Sequence, residues 1–248
     1  MGAMDGYDAT TYGAAFADVY DEWYAGISDV AATVAVLTDL AEGGAVLELA
    51  VGTGRLAVPL AGRGVPVTGV DASRDMLARL AERDPDGEVT AVLGDMVDDL
   101  PDGPFTLAFI AYNSLFNLTG AERQQACFHA VAARLAGRGR FVVEAFVPDE
   151  PFRDGDDVSV RTLTADTVIL SITRHRAADQ SAHGQFVELT EAGGVRLRPW
   201  AIRYATTNQL DEWAAEAGFV LEHRWEDFTR TAFTADASRH VSVYRRAT

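Results

Sequence analysis

The segment from Leu47 to Ala57, LELAVGTGRLA, constrains this 248-residue chain more than any other. A short apolar run stops at two glycines one residue apart and resumes in a helical pattern. That order predicts strand, tight turn and helix in immediate succession. Gly52 and Gly54 supply backbone that can turn sharply and approach a ligand with no side chain in the way. The turn also leaves free N–H groups at a helix N-terminus. Val46, Glu48 and Ala50 fall on one face of the strand. A carboxylate in a central strand is costly to bury alone, so Glu48 is expected to meet a cation or a hydrogen-bond donor, from the protein or from a ligand ammonium. A purely structural acid that caps nearby backbone is the other reading of Glu48.

The rest of the chain repeats the strand–helix alternation. Helical patterns run from Thr10 and, after a break at residues 26–29, from Val30 to Leu40; the first carries Tyr12, Phe16, Val19, Tyr20 and Trp23 on one face. Strands are predicted over 45–50, 65–70, 89–93, 105–111 and 139–146. Helices are predicted over 54–61, 73–82 (with Ser73 as cap) and 121–135. This implies an α/β fold with a doubly wound, mostly parallel sheet. After Pro148 four strand-like segments follow without a helix, up to Thr206. We read them as an antiparallel β insert over 149–205, set between an α/β domain of 43–148 and 206–248 and preceded by a helical cap over 1–42. In "RLRPWAIRY" (196–204), Arg196, Arg198 and Trp200 alternate with Leu197, Pro199 and Ala201. One face is expected to pack, and the other to be solvated or to meet a second subunit.

Two further acids stand at the carboxyl ends of predicted strands, where open α/β sheets bind ligands. Asp71 suits the hydroxyls of a ribose, and Asp95, followed by Met96, suits an exocyclic amine beside an apolar contact for a base. Together with Glu48 they describe a nucleoside that carries a positively charged amino acid. S-adenosylmethionine matches that description better than NAD, although Gly52–Ala57 satisfies the literal dinucleotide pattern G-x-G-x-x-G/A.

The ordered stretches VLELAVGTGRL, GVDAS, LGDM, FIAYNSLFNL and GRGRFVVEAF resemble the motifs of class I S-adenosylmethionine-dependent methyltransferases. The resemblance implies a Rossmann-like seven-stranded sheet. It places the methionine portion of the cofactor on Ala50, Gly52 and Gly54, with Ala111 and Tyr112 against it. Asp71 would take the ribose, Ala72 and Met96 would flank adenine, and Asp95 would meet its amine, with Met76 and Gly94 beside them. Tyr12 and Tyr20 would close over the cofactor from the amino-terminal helix, or serve as core aromatics. Among members, the layout is most similar to bacterial small-molecule enzymes such as aminosugar N,N-dimethyltransferases. Those carry an Ile-Gly-His-Leu-like stretch where this chain has Leu115-Phe116-Asn117-Leu118, so the histidine is replaced by Asn117. Trp23, Tyr24, Asn113, Asn117, Glu144 and Trp200 are the candidates for the acceptor site, and no residue is singled out as catalytic. A noncatalytic binder of the same cofactor and a nicotinamide-dependent oxidoreductase are the rival readings.

Composition closes other routes. All 21 basic residues are arginine, which excludes lysine Schiff-base chemistry and a Walker-type phosphate loop. A net charge of −16 argues against nucleic acid as a partner. The five histidines show no metal-ligand spacing, so no metal is expected. A single cysteine, Cys127, suits a reducing compartment, and neither a signal peptide nor a membrane-spanning run is read. The expected setting is cytoplasmic, with a small-molecule substrate. The edge strands of the insert point to a homodimer.

Overall fold

The computed structural model describes residues 4–247; residues 1–3 of the expected cap and Thr248 of the expected α/β domain lie outside them. The amino-terminal region forms α1 (Thr11–Phe16), α2 (Tyr20–Trp23) and α3 (Val30–Ala41). A single helix through Tyr12 and Trp23 was expected. The chain instead turns at Ala17–Val19, where Asp18 leaves the helix register to pair with Arg196 and Arg198 of the insert. Asp29 caps α3 by accepting from the N–H of Ala32.

The central sheet is built from β1 (Val46–Leu49), β2 (Val67–Asp71), β3 (Val89–Leu93), β4 (Phe105–Ile110) and β5 (Leu135–Phe146). Helices α4 (Ala57–Ala61), α5 (Arg74–Arg83) and α6 (Ala121–Arg134) connect them. Ser73 caps α5 through the N–H of Met76, as its sequence position predicts. After the insert come α7 (Thr207–Glu216), then β10 (Phe219–Trp225) and β11 (Arg239–Arg246). The seven strands lie in the order β10-β11-β5-β4-β1-β2-β3. Strands β1 to β5 pair in parallel, whereas β11 pairs antiparallel with β5 and with β10. Helices cover both faces, and every residue of β1 is buried, which explains why all of its side chains but Glu48 are apolar. Cys127 sits in this core on α6, where burial pushes its thiol up to about 12.

The insert is a second, four-stranded antiparallel sheet of β6 (Gly155–Leu163), β7 (Thr167–Arg176), β8 (Ser181–Thr190) and β9 (Val195–Arg203), in that order. One end packs on α1 and α2 through Phe186 and Trp200, which join Phe16 and Trp23 in an aromatic cluster. The packed face of β9 is the one that carries the charge. Arg198 is buried at 1% exposure and bridges Asp18 and Glu188, while Leu197 on the opposite face stands 55% exposed.

Candidate functional site

The carboxyl ends of β1 to β4 open beneath the amino-terminal segment, and the backbone after β1 shapes what lies there. Ala50, Gly52 and Gly54 all adopt left-handed φ, at 54°, 56° and 75°. A side chain on Gly52 would meet nothing nearer than the Ala50 carbonyl at 4.0 Å, so this face of the turn is open to a ligand. Gly54 serves another purpose: a Cβ there would come within 3.0 Å of Leu80 and Val58, so it closes the turn onto its own helix and onto α5.

Asp71 ends β2 with both oxygens engaged. Oδ2 accepts from the N–H of Gly52 and Oδ1 from that of Ser73, each at 2.8 Å. Burial raises its carboxyl above the usual range against the pull of these two donors. Asp95, two residues past the end of β3, opens an Asx turn, its Oδ1 accepting from the N–H groups of Val97 and Asp98. Gly94 donates to the Asp71 carbonyl and packs on the Asp99 side chain, which leaves no room for a Cβ.

One cavity gathers much of the predicted set. Ala50, Gly52, Asp71, Ala72, Met76, Asp95 and Met96 form its floor and sides, and Tyr12, Tyr20 and Asn117 reach it from above. Its roof is a segment that periodicity gave no reason to single out: Tyr7, Asp8, Ala9 and Gly13. Gly13 carried the one available signal, a glycine inside a helix. A Cβ on it would fall 2.2 Å from that of Ser73, so glycine lets α1 lie directly on the cap of α5.

A second hollow adjoins the first and shares Tyr20, Ala50, Gly52 and Ser114 with it. Glu48, Arg55, Ala111 and Tyr112 are among the other residues of its wall. The protein supplies Glu48 with less than its position demands. Its Oε2 is buried with no hydrogen-bond partner among the described residues. Burial pushes its carboxyl well above the usual range; the Arg55 guanidinium and the Ala57 N–H offset that in part, while Asp71 adds to it.

The segment after β4 is held in an unusual shape. Tyr112 and Asn113 are consecutive left-handed residues, with φ of 48° and 65°. Glu144 accepts from the Tyr112 N–H at 2.9 Å through its side chain and from the Asn113 N–H through its carbonyl. Asn113 in turn accepts from the N–H of Phe146. Burial raises the Glu144 carboxyl. Both side chains thus brace the segment that carries Tyr112, and neither lines the two hollows.

Tyr24 lies between the sites: its hydroxyl is 3.4 Å from that of Tyr12, and its ring packs on Tyr20 and Tyr112. Trp23 and Trp200 stand farther out in the aromatic cluster, where Arg161 stacks over the Trp23 ring at 4.5 Å. The cap is fastened to the glycine turn by side chains. Thr53 donates to Asp21, which also pairs with Arg83 at 2.6 Å, and Arg55 donates to Ser28.

A family profile described as a methyltransferase domain matches residues 46–139. Over nearly its full length the chain is similar to the CcbJ methyltransferase from Streptomyces caelestis. The two are 39% identical over 98% of this chain and 100% of that one, with a TM-score of 0.89. The cypemycin N-terminal methyltransferase of a Streptomyces species is 34% identical over 116 residues, 47% of either chain. The fold also matches SAM-bound CalS10, an amino pentose methyltransferase from Micromonospora echinaspora, at a TM-score of 0.69 and 20% identity over 92% of this chain and 97% of that one.

Proposed function

Because the chain belongs to the class I S-adenosylmethionine-dependent methyltransferases, we propose that it methylates a nitrogen or oxygen of a small-molecule acceptor held between the sheet edge, the amino-terminal helices and the insert. The residues lining the two hollows fit the cofactor at both ends. Glu48 Oε2, buried and unpartnered, is an orphan acceptor suited to an ammonium. Gly52 leaves open the space that a side chain would fill. Asp71, Ala72, Asp95 and Met96 line the cavity where a ribose and a base would lie.

When bound, S-adenosylmethionine supplies a methyl on a sulfonium, a leaving group that needs no activation by the protein. What remains for the chain is to align the acceptor and exclude water. Tyr20, Tyr24 and Tyr112 give a compact set of aromatic faces and hydroxyls for that purpose. Asn117 extends it along the first cavity. Trp23 and Trp200 form an apolar backing beneath the insert. Glu144 and Asn113 act by holding Tyr112 in place. A dedicated base is needed only for an acceptor that must lose a proton early.

The insert also supports the homodimer reading, through its face rather than its edges. Val158, Val160, Leu163, Ile172, Leu189, Val195 and Leu197 are all exposed, and the strand registers put them on one side of the sheet. A continuous apolar sheet face suits packing against its own copy. No helix among the described residues is long and apolar enough to cross a membrane. The unpaired Cys127 supports a cytoplasmic, reducing setting.

The observation that carries the cofactor reading is the orphan Glu48 oxygen beside a turn braced by Asp71. Calorimetric titration with S-adenosylhomocysteine, with NAD in parallel, tests it. Binding of S-adenosylhomocysteine alone, lost in Asp71→Ala, is the expected result; binding of NAD alone would overturn it.

A further inference from the structure

The carboxylate of Asp95 receives three hydrogen bonds, all on one oxygen. Oδ1 accepts from the Val97 N–H at 2.8 Å, the Asp98 N–H at 3.2 Å and the Arg123 guanidinium at 2.7 Å. Oδ2 has no donor among the described residues, although Asp95 lines the first cavity. The guanidinium is itself held, because its other arm donates to Asp98 at 3.0 Å. The two backbone donors alone would keep Oδ1 in the turn while leaving the carboxylate plane free to tilt. A charged, planar fork anchored on a second acid adds a directional restraint on that plane. The local charge also calls for a cation, since Asp95, Asp98 and Asp99 place three carboxylates within five residues.

We propose that Arg123 is the positioning residue for base recognition: by occupying Asp95 Oδ1 it presents Oδ2 to the exocyclic amine of the cofactor's adenine. A carboxylate oxygen accepts from an amine and repels a carbonyl, so a fixed Oδ2 discriminates adenine from its 6-oxo counterpart. This rests on the assignment of adenine to the cavity beside Asp95. Arg123 is a poor candidate for a merely structural role. Its side chain is 40% exposed, where ion pairs add little to stability. The neighbouring positions of α6 already secure the cavity walls. Gln124, fully buried, donates to the Leu118 carbonyl, and Cys127 packs against the Met96 carbonyl at 4.0 Å.

The test compares binding of S-adenosylhomocysteine and S-inosylhomocysteine, which differ in the group at position 6 and in the proton on the adjacent ring nitrogen, by calorimetry on the intact chain and its variants. The wild-type protein is expected to prefer the adenosyl ligand by roughly a hundredfold or more. Arg123→Ala is expected to cut that preference about tenfold through weaker adenosyl binding, and Arg123→Lys to retain part of it. Asp71→Ala, which acts at the ribose, should weaken both ligands by the same factor. If Arg123→Ala lowers both affinities equally, or leaves their ratio unchanged, the positioning role is overturned. Binding of neither nucleoside by the wild-type protein would instead overturn the cofactor assignment on which it rests.

Discussion

Asp71, at the carboxyl end of β2, accepts a hydrogen bond of 2.8 Å from the backbone N–H of Gly52, nineteen residues earlier in the turn after β1. The acid proposed to read a ribose is therefore also the brace of the turn proposed to receive the methionine portion. Removing it acts on both. Asp71→Ala is expected to weaken S-adenosylhomocysteine binding by about a hundredfold or more and to lower the melting temperature by a few degrees. Asp71→Asn keeps an acceptor for Gly52 and should recover most of the thermal stability but little of the affinity. Calorimetry and a thermal melt on the same samples check this.

Glu48 gives a pH dependence whose sign follows from its burial. Its carboxyl lies well above the usual range in the ligand-free protein, so it binds a proton there more tightly than in the unfolded chain. Stability from this group is complete below the unfolded pKa and is lost as pH rises through the folded one. A ligand ammonium needs the carboxylate form. S-adenosylhomocysteine affinity should therefore rise with pH until Glu48 is ionised, and binding should release a proton. Titrations in buffers of different ionisation enthalpy measure that proton. Glu48→Gln should abolish its release and weaken binding while stabilising the ligand-free protein near neutrality.

Much of the α/β frame is legible in the sequence because each strand and helix there has its own local period, and the ends of successive strands order the ligand-facing acids. The features that escaped local reading depend on partners far along the chain. Asp18 breaks the amino-terminal helix to reach Arg198, 180 residues later. No pattern of spacing marks Tyr7, Asp8 and Ala9 as a roof, because loop residues have no period. Glu144 and Asn113 sit where a substrate contact is expected, yet their hydrogen bonds turn inward to hold two left-handed residues.

Arg198 carries the joint between the insert and the cap, through Asp18, Glu188 and the Ala15 carbonyl. Truncating one member of a buried charge network leaves the others desolvated and unpaired. Because Asp18 and Glu188 keep some solvent contact, at 33% and 22% exposure, the low end of that penalty applies. Arg198→Ala should cost about 2–3 kcal/mol in denaturant unfolding. It should also expose residues 7–24 to limited proteolysis.

The apolar face of the insert predicts a concentration-dependent dimer. Val160→Glu combined with Leu197→Glu places charge on that face, and both positions are more than half exposed in the single chain. The double variant should run as a monomer in sedimentation velocity and melt as the wild-type protein does at concentrations where that is monomeric too. A wild-type protein that sediments only as a monomer would rule the dimer out.

Gln124 ties together parts of the molecule that a designer would wish to treat separately. Its amide nitrogen donates to the carbonyls of Leu118 and Arg203, and its oxygen accepts from the Arg203 side chain. Leu118 lines the first cavity, where the cofactor is proposed to bind, and Arg203 ends the last strand of the insert. The insert is consequently not an interchangeable module. A chimera that swaps residues 155–203 for those of another enzyme, in order to borrow its acceptor, inherits a new anchor at position 203. Such grafts should be judged first on whether they still hold the nucleoside, and Arg203 carried over with Gln124 is the minimum seam at which to cut.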